Sequence, residues 1–146
     1  MKSRLIFHRQ ETPYSCVPAC LRIVLSSFEL DVSEAELRTL CDCTPFGTEA
    51  LKAVDALRSL GFVRTAKWTL SIDELITQLS SGFIPIVFIN LLPIDGIKIA
   101  HAVVVIAVDE TNVSVYDPLQ GERILQRFTF DPAWAMMHNL SIVVQA

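Results

Sequence analysis

The sequence predicts an α+β fold in which N-terminal helices pack on a C-terminal antiparallel β-sheet. Its length of 146 residues is typical of one domain with a packed core, so we expect a single domain over residues 1–146. Residues from about 14 to 80 carry helical spacing and helix-capping sequences, whereas residues from about 84 to 145 carry β-branched runs. Helices first and strands afterwards indicate this class.

The first half carries start and stop signals for several helices. Pro18 fits the first turn of a helix, because the N–H that proline lacks has no helical partner there. Two Ser-x-x-Glu sequences match the capping box that opens a helix, and Gly61 is a natural residue just beyond a helix end. The predicted helices are Pro18 to about Phe28, Ser33 to about Cys41, Thr48–Leu60 and Ser71 to about Leu79.

The second half carries β-branched and aromatic runs bounded by turn residues, which predict strands. The predicted strands are Ile84–Asn90, Ala100–Val108, Val113–Tyr116, Gly121–Phe128 and Leu140–Val144, with a short helical turn at Ala133–Met137. We expect both tryptophans, Trp68 and Trp134, to lie in the core.

The composition excludes several classes of protein. Hydrophobic residues make up 51% of the chain and charged residues 19%, which excludes disordered, collagen-like and coiled-coil chains. The net charge is −4 and no basic cluster offers a footprint for phosphate groups, so we expect no nucleic-acid partner. The longest apolar piece of the most apolar stretch, Ala102–Val108, has seven residues, whereas a membrane-spanning helix needs roughly 20. Since Met1–Gln10 is no signal sequence either, we expect a cytoplasmic protein without a membrane span.

Four cysteines are present, and their spacing matches no common zinc site. We therefore expect neither a metal nor another cofactor. Cys20, Cys41 and Cys43 are interpreted as small buried hydrophobic residues. Cys16 differs because it begins the helix that Pro18 helps to open, and a helix N-terminus favours a thiolate. From position alone, an ordinary buried cysteine is an equally good interpretation of Cys16.

A nucleophilic cysteine needs a base, and His101 is the candidate among the three histidines. It opens the most apolar strand, where a histidine is costly unless its ring nitrogens form hydrogen bonds. The alternative is a core histidine bonded to a backbone carbonyl. Asp117 ends the next predicted strand, where Pro118 keeps it extended. It is interpreted as the carboxylate that orients His101 or, alternatively, as a plain Asp-Pro turn.

The hairpin loop between the two strands decides whether these side chains meet. A loop of three or five residues puts Asp117 opposite Val103, on the face of His101, with the two Cα atoms roughly 7–8 Å apart. A four-residue loop puts them on opposite faces, because a slip of one residue reverses every side chain.

Gln10 lies six residues before Cys16, and its side-chain amide is a candidate donor to an oxyanion. The alternative is a solvated glutamine near the terminus. Together, Gln10, Cys16, His101 and Asp117 fill the roles of oxyanion donor, nucleophile, base and orienting carboxylate.

A cysteine on an early helix, with histidine and aspartate on later strands, resembles the order in papain-like enzymes. The sequence resembles the bacteriocin-processing peptidase family, which cuts leader peptides after a double glycine. The matching features are Gln10, Cys16-x-x-Ala19-Cys20-Leu21, Ser33-x-x-Glu36-Leu37 before Cys41, Gly47-Thr48, Leu60-Gly61, Ser71-x-x-Glu74-Leu75, Gly82-x-x-Pro85-Ile86, His101-Ala-Val-Val-Val105 and Asp117-Pro118.

This resemblance implies a papain-like fold and a cysteine peptidase with Cys16, His101, Asp117 and Gln10 in those roles. It also implies a peptide or protein substrate, small residues before the cut, and an association with an export system. Family members are often the N-terminal domain of an exporting ATPase; without a membrane span or a phosphate-binding loop, we expect this domain to stand alone.

One departure concerns the nucleophile itself. The family usually has Asp-Cys-Gly where this chain has Ser15-Cys16-Val17. The bulk of Val17 favours an alternative, a peptidase-like domain that binds a leader peptide or partner segment without cutting it. The presence of candidate residues for all four catalytic roles favours the peptidase.

Overall fold

A computed structural model describes residues 5–146 of the chain. The helices are α1 (Cys16–Ser26), α2 (Glu34–Leu40), α3 (Ala50–Ser59), α4 (Ile72–Ser80), α5 (Leu92–Asp95) and α6 (Arg127–Ala135). The strands are β1 (Ala66–Thr69), β2 (Ile86–Asn90), β3 (Ala100–Val108), β4 (Asn112–Asp117), β5 (Gly121–Gln126) and β6 (Leu140–Val143). Helices and an antiparallel sheet confirm the predicted α+β class.

The strands form one sheet in the order β1-β6-β2-β3-β4-β5, with all neighbours antiparallel. Alternate residues of β3 point to opposite faces, and both faces are covered. Ala102 and Val104 pack in a cluster that includes residues of α1, α2 and α3. Val103 and Val105 pack in a second cluster with α6 and with Leu75 of α4. Cover on both faces explains why β3 is apolar along most of its length.

The helices of the first half form where their local signals lie. Ser71 and Glu74 exchange both hydrogen bonds of a capping box, each with the other's backbone N–H. Ser33 accepts the N–H of Glu36 in the same way. These contacts satisfy backbone donors that have no partner within the helix.

Three elements differ from the sequence prediction. Strand β1 lies in the half predicted to be helical, and the short helix α5 was not predicted. The strand predicted to reach Phe128 ends at Gln126, where α6 begins, so the predicted turn at residues 133–137 is part of a longer helix. Burial of Phe130 and Trp134 in the core stabilises α6, although Pro132 lies inside it and removes one backbone donor.

Two predictions of burial are wrong. Trp68 is 50% exposed because it lies on β1, the edge strand, whereas Trp134 is 2% exposed as predicted. Cys43 is partly exposed, since it lies in the loop after α2, while Cys20 and Cys41 are buried as expected. None of the helices within residues 5–146 has both the length and the apolar character needed to cross a membrane.

Candidate active site

Cys16 is the first residue of α1 and is only partly buried. Its helical neighbours Val17, Ala19 and Cys20 are buried in the core. Cys16 differs from an ordinary core cysteine because part of its surface is exposed. The first backbone N–H groups of a helix have no intrahelical acceptor, and they surround the thiol with partial positive charge. The thiol of Cys20 donates to the carbonyl of Ala102 at 3.4 Å, which joins α1 to the strand that carries His101.

His101 and Asp117 form a buried pair. The Nε2 atom of His101 lies 2.7 Å from Oδ1 of Asp117, and the residues are 7% and 1% exposed. The same oxygen accepts the backbone N–H groups of Leu119 at 2.8 Å and Gln120 at 3.3 Å. Asp117 therefore stabilises a turn and contacts His101 at once, so its two sequence interpretations do not exclude each other.

A β-bulge puts this pair on one face of the sheet. Val108 pairs with Val113, which leaves four residues in the hairpin loop, and an unbroken ladder would then separate the two side chains. The register shifts by one residue between Val105 and Ala107, so that Val104 pairs with Tyr116. Beyond the bulge, the register is the one that a five-residue loop would give, so the side chains of His101 and Asp117 lie on the same face of the sheet.

Asp117 and Cys16 control the protonation of His101. Burial lowers the pKa of His101, but hydrogen bonds to Asp117 and Cys16, and the negative charges of both, outweigh it and raise the pKa to about 9. Burial raises the pKa of Asp117, but the hydrogen bond and charge of His101 outweigh it, so this pKa is lowered overall. The raised pKa favours the imidazolium form of His101 at neutral pH, with Nε2 in contact with Asp117.

Gln10 is buried rather than solvated. Its backbone N–H donates to the carbonyl of Pro118 at 2.8 Å, which connects it to the residue after Asp117. Its side-chain Nε2 donates to the carbonyl of Thr12 at 2.8 Å. A primary amide has two N–H groups, so this contact uses only one of them.

Sequence reasoning missed Arg123. Its Nη1 atom lies 3.4 Å from Oδ2 of Asp117, the oxygen that His101 does not use. The guanidinium also binds both carboxylate oxygens of Asp95, at 2.8 and 3.0 Å. Arg123 pairs with Val115 of the neighbouring strand β4. Because Val115 lies two residues before Asp117, the side chains of Arg123 and Asp117 are on the same face of the sheet. The alternation of side chains along these strands was the one feature of the sequence that could have indicated Arg123.

These residues can support thiol chemistry. A cysteine at the start of an early helix, next to a buried His–Asp pair on adjacent antiparallel strands, is the arrangement of the papain-like class. Within the described part of the chain, no cluster of three or more histidine, cysteine, aspartate or glutamate side chains is placed to hold a metal ion. The chain belongs to the Peptidase C39 family, whose sequence profile matches residues 4–144.

Comparisons with individual proteins agree with this family. An uncharacterized protein of Methanothermobacter marburgensis is 31% identical over 134 residues, which cover 89% of this chain and 85% of that protein. The crystal structure of the peptidase domain of Streptococcus ComA, a bi-functional ABC transporter involved in quorum sensing, is 25% identical with a TM-score of 0.79. That match covers 95% of this chain and 97% of the ComA chain.

Two more distant structures share the fold. A putative C39-like peptidase from Bacillus anthracis has a TM-score of 0.81 at 18% identity, over 97% of this chain and 94% of that chain. A double glycine motif protease from an AMS/PCAT transporter, solved in complex with the leader peptide, has a TM-score of 0.75 at 17% identity. This last match covers 99% of this chain and 94% of that chain.

Proposed function

We propose that this protein is a cysteine peptidase in which Cys16 is the nucleophile, His101 the acid–base group, Asp117 its orienting carboxylate and Gln10 an oxyanion donor. The observation that carries the proposal is the buried 2.7 Å contact between His101 and Asp117, with Cys16 near enough to raise the pKa of the same imidazole. Membership of the Peptidase C39 family supports the same class of reaction.

The first half of the reaction forms a thioester. The Cys16 thiolate attacks the carbonyl carbon of the scissile bond, a C–S bond forms, and the carbonyl electron pair moves to oxygen. The backbone N–H of Cys16 and the second amide N–H of Gln10 donate to this oxyanion. When the carbonyl re-forms, the C–N bond breaks and His101 gives its proton to the leaving nitrogen.

The second half releases the other product. Neutral His101 accepts a proton from water while the water oxygen attacks the thioester carbon. Collapse of this second oxyanion breaks the C–S bond and restores the thiolate beside the imidazolium. Asp117 stays ionised throughout and holds the imidazole in one orientation, as in other triads.

The proposed substrate is a peptide with small residues before the cut, such as a leader peptide that ends in a double glycine. One similar structure is a double glycine motif protease in complex with the leader peptide, and another is the peptidase domain of a transporter. Both support a link between this chain and a peptide export system. All four cysteines are free thiols, which fits activity in the reducing cytoplasm.

The alternative was a domain that binds such a peptide without cutting it, which the bulk of Val17 favoured. The side chain of Val17 is buried among the apolar residues of the helical cluster. It therefore packs in the core, where it does not narrow a cleft at Cys16. This observation favours cleavage over binding alone.

The test is cleavage of a library of synthetic peptides with Gly-Gly, Gly-Ala and Ala-Ala at a central position, read by mass spectrometry. We expect the wild type to cut after the small pair and Cys16→Ala to bind the same peptides without cutting them. Cys43→Ala is the matched control, because Cys43 is also partly exposed but has no proposed role. Equal cleavage by wild type and Cys16→Ala would refute the proposal, whereas binding without cleavage by the wild type would favour the alternative.

A further inference from the structure

Glu34, the first residue of α2, is a buried charged residue that the proposed reaction does not use. Its side chain is only 1% exposed, and burial raises its pKa. A buried carboxylate is costly unless hydrogen bonds and a counter-charge compensate for its lost hydration. The partners of Glu34 therefore indicate what this carboxylate does.

These partners lie mainly in the segment between Gln10 and Cys16. Oε1 of Glu34 accepts the backbone N–H of Glu11 at 2.9 Å, and the nearby hydroxyl of Ser15 helps to limit the rise in the pKa of Glu34. Glu11 directly follows Gln10, and Ser15 directly precedes Cys16. The Glu34 carboxylate thus holds the start of the segment that separates the proposed oxyanion donor from the proposed nucleophile.

Hydrogen bonds inside the segment connect these ends to the amide of Gln10. Ser15 Oγ accepts the backbone N–H of Thr12 at 3.1 Å, and the carbonyl of Thr12 accepts Nε2 of Gln10 at 2.8 Å. The orientation of the Gln10 amide therefore depends on Thr12. Thr12 in turn is held by Ser15, whose Oγ also donates to the Thr12 carbonyl at 3.3 Å, and it directly follows Glu11, which Glu34 holds.

Arg38 holds Glu34 from the other side. Its Nη1 atom lies 2.9 Å from Oε2 of Glu34, one turn along the same helix. Its Nη2 atom lies 3.6 Å from the carboxylate of Glu11. The ion pair stabilises the buried charge and keeps Oε1 directed at the segment.

We propose that Glu34 is a positioning residue that holds the segment Glu11–Ser15 so that the Gln10 amide and the Cys16 backbone N–H converge on one oxyanion. This inference rests on the proposed peptidase function. Glu34 acts through Gln10, and none of its contacts described above involves His101 or Asp117.

Glu34→Ala separates oxyanion binding from activation of the thiol. Oxyanion donors act on charge that develops in the transition state, so we expect kcat for the cleaved peptide to fall by about 10- to 100-fold, with KM changed less than about threefold. Alkylation of Cys16 by iodoacetamide forms no oxyanion on a carbonyl. Its rate and its pH profile should therefore stay those of the wild type.

Glu36→Ala is the matched control, since Glu36 lies two residues away on the same helix and is exposed. It should leave both kcat and the alkylation rate unchanged. Glu34→Gln keeps an oxygen acceptor for the Glu11 N–H but loses the charge facing Arg38. We expect it to lose less of kcat than Glu34→Ala, and it serves for every measurement if Glu34→Ala does not fold.

A double-mutant cycle with Gln10→Ala tests whether Glu34 acts through Gln10. The double variant should be no slower than the slower single variant, because both changes remove the same donor. Fully multiplicative losses, an unchanged kcat in Glu34→Ala, or alkylation slowed as much as cleavage would each overturn the inference. Cleavage by the wild type would leave the proposed function intact in all three cases, whereas a wild type that cuts no peptide would refute both.

Discussion

Removing the carboxylate of Asp117 should make His101 lose its proton at a lower pH than in the wild type. With Asp117 in contact, the pKa of His101 is raised from 6.5 to about 9 although burial lowers it. In Asp117→Ala the burial remains, while the hydrogen bond and the negative charge of Asp117 are gone. We therefore expect the pKa of His101 to fall well below its wild-type value in this variant, with Cys16 as the remaining group that raises it.

The structure allows an estimate of the size of this effect. A difference between 6.5 and about 9 corresponds to about 3 kcal/mol of interaction free energy. At about pH 7.5, the protonated fraction of His101 is about 97% in the wild type, and loss of the whole rise in pKa would lower it to about 9%, which is the largest effect expected. The imidazolium supports the Cys16 thiolate and protonates the leaving amine, so alkylation and cleavage should each slow, by up to about tenfold.

The assay is an NMR titration of the protein labelled with ¹³C-histidine, from about pH 5 to 10. His8 is an internal control, since burial and the nearby Arg22 lower its pKa from 6.5, opposite to His101. Asp117→Ala should move only the midpoint of His101. Asp117→Asn keeps an oxygen acceptor without the charge, and its midpoint should lie between those of Asp117→Ala and the wild type.

Two results would refute this reasoning. A wild-type midpoint near 6.5 for His101 would mean that Asp117 and Cys16 do not outweigh burial. A midpoint that stays near 9 in Asp117→Ala would mean that another group holds the proton.

Three further predictions concern the same site. His101→Ala should slow iodoacetamide alkylation of Cys16 about tenfold or more at about pH 7.5, with Cys43 labelling unchanged as the control; equal rates at Cys16 would contradict an activated pair. The kcat/KM of the wild type should decline above about pH 9, because His101 then loses the proton that the leaving amine needs; a plateau to about pH 10.5 would exclude this role. Arg123→Met should lower kcat, because Asp117 loses a partner at 3.4 Å. It should also raise the pKa of His101 by up to about one unit, because a nearby cation is gone. A lowered pKa of His101 in the titration would show that Arg123 only maintains the fold.

Local signals were sufficient for most helices and for the position of Cys16. The sequence at residues 71–74 specifies a helix start, because each capping partner lies within three residues of the other. Cys16 begins α1 for an equally local reason, since Pro18 fits a first turn. Strand β1 could not be predicted in this way, because its four residues are held by pairing with β6, more than 70 residues later.

The burial of individual polar residues could not be predicted from the sequence. Glu34 and Glu36 lie two positions apart on α2, yet Glu34 is buried against the segment before Cys16 and Glu36 is exposed. Gln10, which a terminal position would leave solvated, is buried because its backbone bonds to Pro118. Both outcomes depend on contacts between elements distant in the chain.

The sequence by itself determined the fold class, the family and the residue types available for thiol chemistry, because periodicity, capping and motif spacing are local properties. The tertiary structure decided whether those residues meet. A four-residue hairpin loop alone would direct His101 and Asp117 to opposite faces, and the bulge between Val105 and Ala107 returns them to one face. Strand register follows from packing on both faces of the sheet at once, which is a property of the whole fold.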